Sequence, residues 1–130
     1  MQMKSCLAVV LRVFSGGALA EWTLLERSGD MLSYADLTTI QRNGSIADLW
    51  VLFDNIDDTA ALTHSKSLSS KSRIECDCVT RQYRYLLSTW HSERMGSGTL
   101  DYTLDQAGRW QAVLPESLIG TLWQRACRSP

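Results

Sequence analysis

Apolar and polar residues alternate along most of this chain, and short polar punctuation cuts the alternation into strands. Trp22-Thr23-Leu24-Leu25-Glu26 reads as a first strand, ended by Ser28-Gly29-Asp30, and Met31 to Ala35 reads as a second. Asp36-Leu37-Thr38-Thr39-Ile40 is less strand-like, and Asp36 is placed to cap a short helical turn. Asn43-Gly44 is the strongest turn signal, because both residues tolerate the positive φ that a tight hairpin needs. Ile46 to Phe53 follows as a strand rich in apolar and aromatic residues. Trp50 within it, like Trp110 later, is expected in the core. Residues 54–72 turn polar. Asp54-Asn55-Ile56-Asp57-Asp58 and Ser65-Lys66-Ser67-Leu68-Ser69-Ser70-Lys71-Ser72 read as a solvated loop and a polar strand edge.

The alternation resumes at Arg73 to Val79, which puts Ile74, Cys76 and Cys78 on one face and Glu75 and Asp77 on the other. A turn at Thr80-Arg81-Gln82 leads to a partner strand from Tyr83 to Trp90. Met95-Gly96-Ser97-Gly98 reads as a glycine loop, Thr99 to Leu104 as a further strand and Trp110 to Val113 as a short last one. Beyond Pro115, which suits a first helical turn, the period changes. Leu118, Leu122 and Ala126 recur every four residues, as do Ile119 and Trp123, with Gln124 and Arg125 facing out. That is one apolar stripe on one terminal helix. The pattern predicts an α+β fold: a small antiparallel β-sheet of about five to six strands with a C-terminal α-helix packed on it.

The N-terminus has a different character. Met1-Gln2-Met3-Lys4 is a short basic start, Ser5 to Phe14 is mostly apolar despite Arg12, and Ser15-Gly16-Gly17 breaks the run before Ala18-Leu19-Ala20. The final triplet fits the small-residue cleavage pattern of a secretory leader, which predicts a cleaved signal peptide over 1–20 and a single domain over 21–130. The apolar run falls far short of the ~20 residues that span a bilayer. Cys6 follows no Leu-x-Gly/Ala lipobox, so no lipid anchor is predicted. Lys4 and Arg12 would leave with the leader, so eleven basic residues would face fourteen acidic ones, a net charge of −3. That balance disfavours sequence-independent nucleic-acid binding, which needs a basic surface. Export places the domain in an oxidising compartment outside the cytoplasm.

In that compartment the remaining cysteines, Cys76, Cys78 and Cys127, become informative. Cys127 ends the helix and can reach the strand at 74–79 if the helix packs on the sheet. Cys76 and Cys78 share a face, so spacing leaves the choice of partner open. A bond between Cys76 and Cys78 themselves would be strained. Closing a loop of about 50 residues would stabilise the fold by roughly 4 kcal/mol. Other chemistry is thin. Cys76, Cys78 and His91 do not have zinc spacing, and the acidic run at 54–58 lacks the glycine and distal glutamate of a calcium loop. His64, His91 and Glu75 could make an acid–base pair for a small secreted hydrolase, but no nucleophile motif accompanies them. No cofactor and no catalytic residue is predicted. Arg84, Trp90 and Arg94 are candidate contact residues, since such side chains often carry binding energy.

Taken in order, one set of residues resembles the surface-adhesin protein E family of Gram-negative bacteria. It comprises Trp22; Tyr34-Ala35-Asp36; Arg42-Asn43-Gly44 with Leu49-Trp50-Val51-Leu52; the serine and lysine stretch leading to Glu75-Cys76-Asp77-Cys78; Arg84; Gly96-Ser97-Gly98; Trp110; Pro115-Glu116-Ser117; and Ala126-Cys127. The resemblance covers nearly all of 21–127. It implies a small antiparallel sheet with a C-terminal helix, a homodimer, and a non-enzymatic role as an adhesin-like envelope protein that contacts a protein partner, host extracellular-matrix proteins included. It also implies that Cys78 pairs with Cys127, because Asp77-Cys78 matches the family's Asp-Cys. Cys76 is then a candidate free thiol, at a position where the family more often carries an apolar or aromatic residue. A periplasmic accessory protein without host contacts is the alternative.

Overall fold

The computed structural model describes residues 19–57 and 67–128. The leader up to residue 18 with Cys6, and Asp58, His64, Ser65 and Lys66, lie outside the described residues. The strands are β1 (Trp22–Ser28), β2 (Met31–Asn43), β3 (Ile46–Asn55), β4 (Ser69–Asp77), β5 (Gln82–His91), β6 (Leu100–Leu104) and the short β7 (Gln111–Ala112). The first six pair antiparallel in chain order, and β7 pairs with the start of β5. The helix α1 runs from Leu118 to Arg128 and lies over β2, β3 and β4.

Short turns give the meander its order. Asn43 pairs with Ile46, so the two-residue loop is Gly44-Ser45, one position later than the Asn-Gly signal suggests. Gly44 carries the positive φ of 65°, as a tight hairpin demands. Between β4 and β5, Asp77 organises the reversal. Its Oδ1 accepts the backbone N–H of Val79 (3.0 Å) and of Thr80 (3.1 Å). These bonds hold its carboxyl below the usual carboxylate range.

The helix does not begin at Pro115, which lies in the preceding turn. Ser117 is the cap: its Oγ accepts the N–H of Gly120 at 2.9 Å and donates to the Leu114 carbonyl at 2.7 Å. The apolar stripe then does what its spacing predicts. Leu122 and Ala126 are buried against Ala35, Ala47, Leu49, Val51, Ile74 and Cys76, with Leu118, Ile119 and Trp123 packed around them. Gln124 and Arg125 are exposed.

The far end of the helix is tied down. Cys78 and Cys127 form a disulfide with their Cα atoms 5.5 Å apart, closing a separation of 49 residues. The Cys78 N–H donates to the Ser45 carbonyl at 2.8 Å. Trp123 Nε1–H donates to the Asp77 carbonyl at 2.9 Å, and Arg42 donates to the Cys127 carbonyl at 2.9 Å. The helix C-terminus is therefore anchored to both adjoining hairpins, with cations at its negative end.

Three expectations need correction. Asp36 caps no helical turn; residues 36–40 belong to β2, interrupted by a bulge between Asp36 and Gln41. Asp54 is a strand residue of β3 rather than part of a solvated loop, and Ser69 to Ser72 lie in β4, an inner strand between β3 and β5 rather than a polar edge, with Asp54, Ser67 and Ser69 fully buried. Trp50 and Trp110 are half-buried and lie outside the core.

The serines have a packing role. Across the helix-side face, Ser33, Phe53, Ser70, Trp90 and Tyr102 stand opposite one another in successive strands. Small and large side chains alternate along that row from Ser33 to Trp90, which lets the aromatic rings fill the space the serines leave. In the next row the Ser72 and Ser88 hydroxyls bond each other at 2.7 Å, which satisfies two polar groups that burial would otherwise penalise.

Candidate functional site

The helix covers one face of the sheet, and the other face carries the chain's exposed chemistry. β3 shows the division. Ala47, Leu49 and Val51 are buried under α1, while Asp48 and Trp50 point the other way. The bulge in β2 then hollows this second face. Asp36 sits opposite Trp50 and Gln41 opposite Asp48, so Leu37 to Ile40 have only Leu49 to match them. Such a surplus bends the strand and leaves its ladder locally unpaired. Side chains repair the gap. Asp36 Oδ1 accepts the Thr38 N–H at 3.0 Å and the Thr38 hydroxyl. The Thr39 hydroxyl donates to the Asp36 carbonyl at 2.6 Å and accepts the Trp50 N–H at 3.0 Å. The polar run 36–39 was legible in the sequence, but it serves a bulge and not a helix.

Along this bulge runs a groove of three adjoining hollows. The first, of about 570 Å³, lies between Trp22, Trp50, Asp36 and Lys71, with Leu19 and Ala20 on its rim. The second, about 460 Å³, shares Thr38, Thr39 and Trp50 with it and adds Asp48 and Arg73. The third, about 760 Å³, shares Asp48 and Arg73 and reaches Arg42 and Glu75. The groove thus has an aromatic end and a charged end. Arg73 Nε donates to Asp48 Oδ1 at 3.1 Å, and that bond holds the guanidinium's pKa above its ordinary value. Next to it Arg84 donates to Glu75 at 2.8 Å and lies 4.5 Å from the Trp110 ring centroid. The ion pair and the ring together fix the plane of the Arg84 guanidinium.

The contact residues named from the sequence have mostly structural occupations. Arg84 is paired and stacked as described. Trp90 packs against Tyr102 on the helix-side face, ring centroids 5.4 Å apart. Arg94 clamps the buried Asp54: its Nε and Nη2 donate to Oδ2 at 2.9 and 2.6 Å, and the Met95 N–H donates to Oδ1 at 2.7 Å. The same loop is bound to Ser69, whose Oγ donates to the Glu93 carbonyl at 2.6 Å and accepts the Gly96 N–H at 2.8 Å. Gly96 has φ 72°, and a Cβ there would press on the Lys71 stem at 3.3 Å. The glycine loop is thus a lid over the Asp54 end of the open face.

The acid–base candidates are kept apart. Glu75 stands opposite Arg84, whereas His91 stands opposite Ser69. Six residues along one strand put His91 and Glu75 ~20 Å from each other. His91 is buried, bonds Thr89 at 2.8 Å through Nε2, and has its pKa lowered by burial and by Lys71. Cys76, fully buried and unpaired, has its thiol pushed up to about 12, first by burial and then by the carboxylates of Asp48 and Glu75. It packs as a small apolar residue and carries no thiolate at neutral pH. With Cys78 in the disulfide and His91 at the far end of β5, the Cys76, Cys78 and His91 set is dispersed. Among the described residues no group of His, Cys, Asp and Glu is placed to hold a metal ion, and no helix is long and apolar enough to cross a membrane.

Trp22 and the outward Trp50 were not among the contact residues named from the sequence. Strand parity was the available signal, since Trp50 alternates with Leu49 and Val51 and shares its parity with Asp48. The apolar Leu52 on the same parity obscured it.

A disulfide-stapled α+β scaffold, helix on one face and a tryptophan-lined groove on the other, is the class that this architecture defines. The chain belongs to the surface-adhesin protein E family, whose model matches residues 22–128. Solved structures share the fold. Haemophilus influenzae protein E in crystal form II superposes with a TM-score of 0.65 at 13% identity, covering 86% of this chain and 91% of that one. Protein E from non-typeable Haemophilus influenzae gives a TM-score of 0.57 at 12% identity, covering 85% and 86%. No curated protein sequence matches the chain.

Proposed function

We propose that this protein is an exported, non-enzymatic interaction protein of the bacterial cell envelope, adhesin-like, that binds a protein partner through the groove on the helix-free face of its sheet. The observation that carries the reading is the family match across 22–128. The groove supplies the chemistry. Trp22 and Trp50 offer apolar anchors, Arg73 and Arg84 offer planar donors, and Asp48 and Glu75 hold both arginines in place. Host extracellular-matrix proteins are the partner class the family suggests. The leader over 1–20, its removal before Glu21 and a homodimer belong to the same proposal.

Protease accessibility of the tagged native protein on intact cells, with a periplasmic marker as control, tests the location. Digestion while the marker survives supports the surface reading. Protection until the outer membrane is permeabilised overturns it in favour of a periplasmic accessory role. Trp50→Ala combined with Arg73→Ala is then expected to abolish matrix-protein binding to a protein that remains folded. Unchanged binding would overturn the groove as the contact surface.

A further inference from the structure

Asp36 is nearly buried, at 3% exposure. Three donors meet its carboxylate, and all are neutral: the Thr38 N–H and hydroxyl on Oδ1, and the Glu21 backbone N–H on Oδ2 at 3.0 Å. These bonds offset the desolvation of the carboxylate, yet none of them brings it a cation. The charged side chains facing the same hollow are Glu21 itself and Lys71 from β4, and Lys71 makes no bond to Asp36. The donor at Oδ2 is peculiar in one respect. It is the nitrogen of the peptide bond between Ala20 and Glu21, the bond that the leader pattern marks for cleavage. Leu19 is 87% exposed and Ala20 is exposed, so this junction is open to a protease.

We infer that leader removal before Glu21 turns this amide nitrogen into an α-ammonium that Asp36 captures, so that processing supplies the buried carboxylate's missing charge partner and fastens β1 to the sheet. The inference rests on the export reading above. The step is a hydrolysis by a leader-removing endopeptidase. Water adds across the Ala20–Glu21 bond, Ala20 departs with the new carboxylate, and Glu21 keeps the nitrogen as an amine that is protonated at neutral pH. The nitrogen already lies at hydrogen-bond distance, so capture needs no rearrangement of the strand. A bond between two ions replaces one in which only the acceptor is charged, and it is the stronger of the two. The same cut takes Leu19 and Ala20 off the rim of the Trp22–Trp50 hollow and opens the groove at its aromatic end.

The test uses two chains, one beginning at Glu21 and one retaining Leu19 and Ala20, each released from a fusion. NMR titration reads the α-amine midpoint of both. In the chain beginning at Glu21 it is expected about one unit or more above the ordinary value of ~8, and in the longer chain at that value. Asp36→Asn should return the first midpoint to the second. Equal midpoints in the two wild-type chains overturn the capture, whether or not the Asp36 variant folds. N-terminal sequencing of the exported protein separates this from the reading beneath it. A first residue other than Glu21 overturns the cleavage site, whereas Glu21 with an ordinary midpoint overturns the capture alone.

Discussion

The two faces of this one sheet are built on opposite principles. Under α1, neighbouring residues are apolar, small and interlocked, and the helix is stitched down by a disulfide, a tryptophan N–H and an arginine. Across the sheet, side chains from the same strands are charged or aromatic and lie half in water, held by ion pairs and by a bulge. Leu49 and Trp50 are adjacent in sequence and belong to different regimes. The contrast teaches that the two faces are stabilised differently: the covered face by apolar packing, the open face by paired charges and hydrogen bonds. On the proposed function, recognition falls to the open face.

The disulfide offers the harshest way to break the contrast. Cys127→Ser with Cys78→Ser should cost about 4 kcal/mol, because a 49-residue separation is no longer closed in the unfolded chain. Urea unfolding would read this as a lower midpoint, and a loss of unfolding free energy no larger than about 1 kcal/mol would mean that packing alone holds the helix.

The adjacent pair comes next. Leu49→Ala should cost about 2–5 kcal/mol, since Leu49 is fully buried in the core. Trp50→Ala should cost less in stability, despite removing the larger side chain, and more in partner binding. The opposite ranking in unfolding and binding assays would dissolve the division between the faces.

Acidity sharpens the comparison further. Burial raises the Asp36 pKa, but the bonds from Thr38 and Glu21 outweigh it, so the folded value is lowered below 3.8. A lowered folded pKa adds stability that is complete above the unfolded value and is lost as pH falls through the folded one. Asp36→Asn should therefore flatten the stability profile below about pH 4 and leave core packing unchanged. A profile with the same acid limb would assign that limb to other carboxylates.

The smallest effect is expected at Arg84→Lys. It keeps the charge beside Glu75 but loses the planar stack on Trp110, and should cost about 0.5–1 kcal/mol. A double-mutant cycle with Trp110→Ala would isolate that coupling.

Much of the covered face was legible in advance, because its parts are periodic. The four-residue recurrence of Leu118, Leu122 and Ala126 could belong only to a helix with one buried side, and Ile74 and Cys76 had to share the face it covers. The open face was far less legible. Asp36 to Thr39 advertised a cap, yet a bulge uses the same hydrogen bonds. Ser69 to Ser72 looked like a polar strand edge, yet they lie in an inner strand, since serine is small enough to be buried when its hydroxyl finds a partner. Trp50 looked like core because tryptophan usually is, and only its parity with Asp48 said otherwise.

By itself, then, the sequence determined the α+β class, the succession of strands along the chain, the apolar stripe of the helix and the presence of three cysteines in the body of the chain. These are local matters of period and turn chemistry. The family resemblance named Cys78 as the partner of Cys127. Tertiary structure alone decided the depth at which Asp54 and Cys76 are buried, the face on which Trp22 and Trp50 meet, and the bond between Asp36 and the nitrogen of Glu21. Each of these joins residues far apart in the chain, and only the register of the strands brings them within a few ångströms.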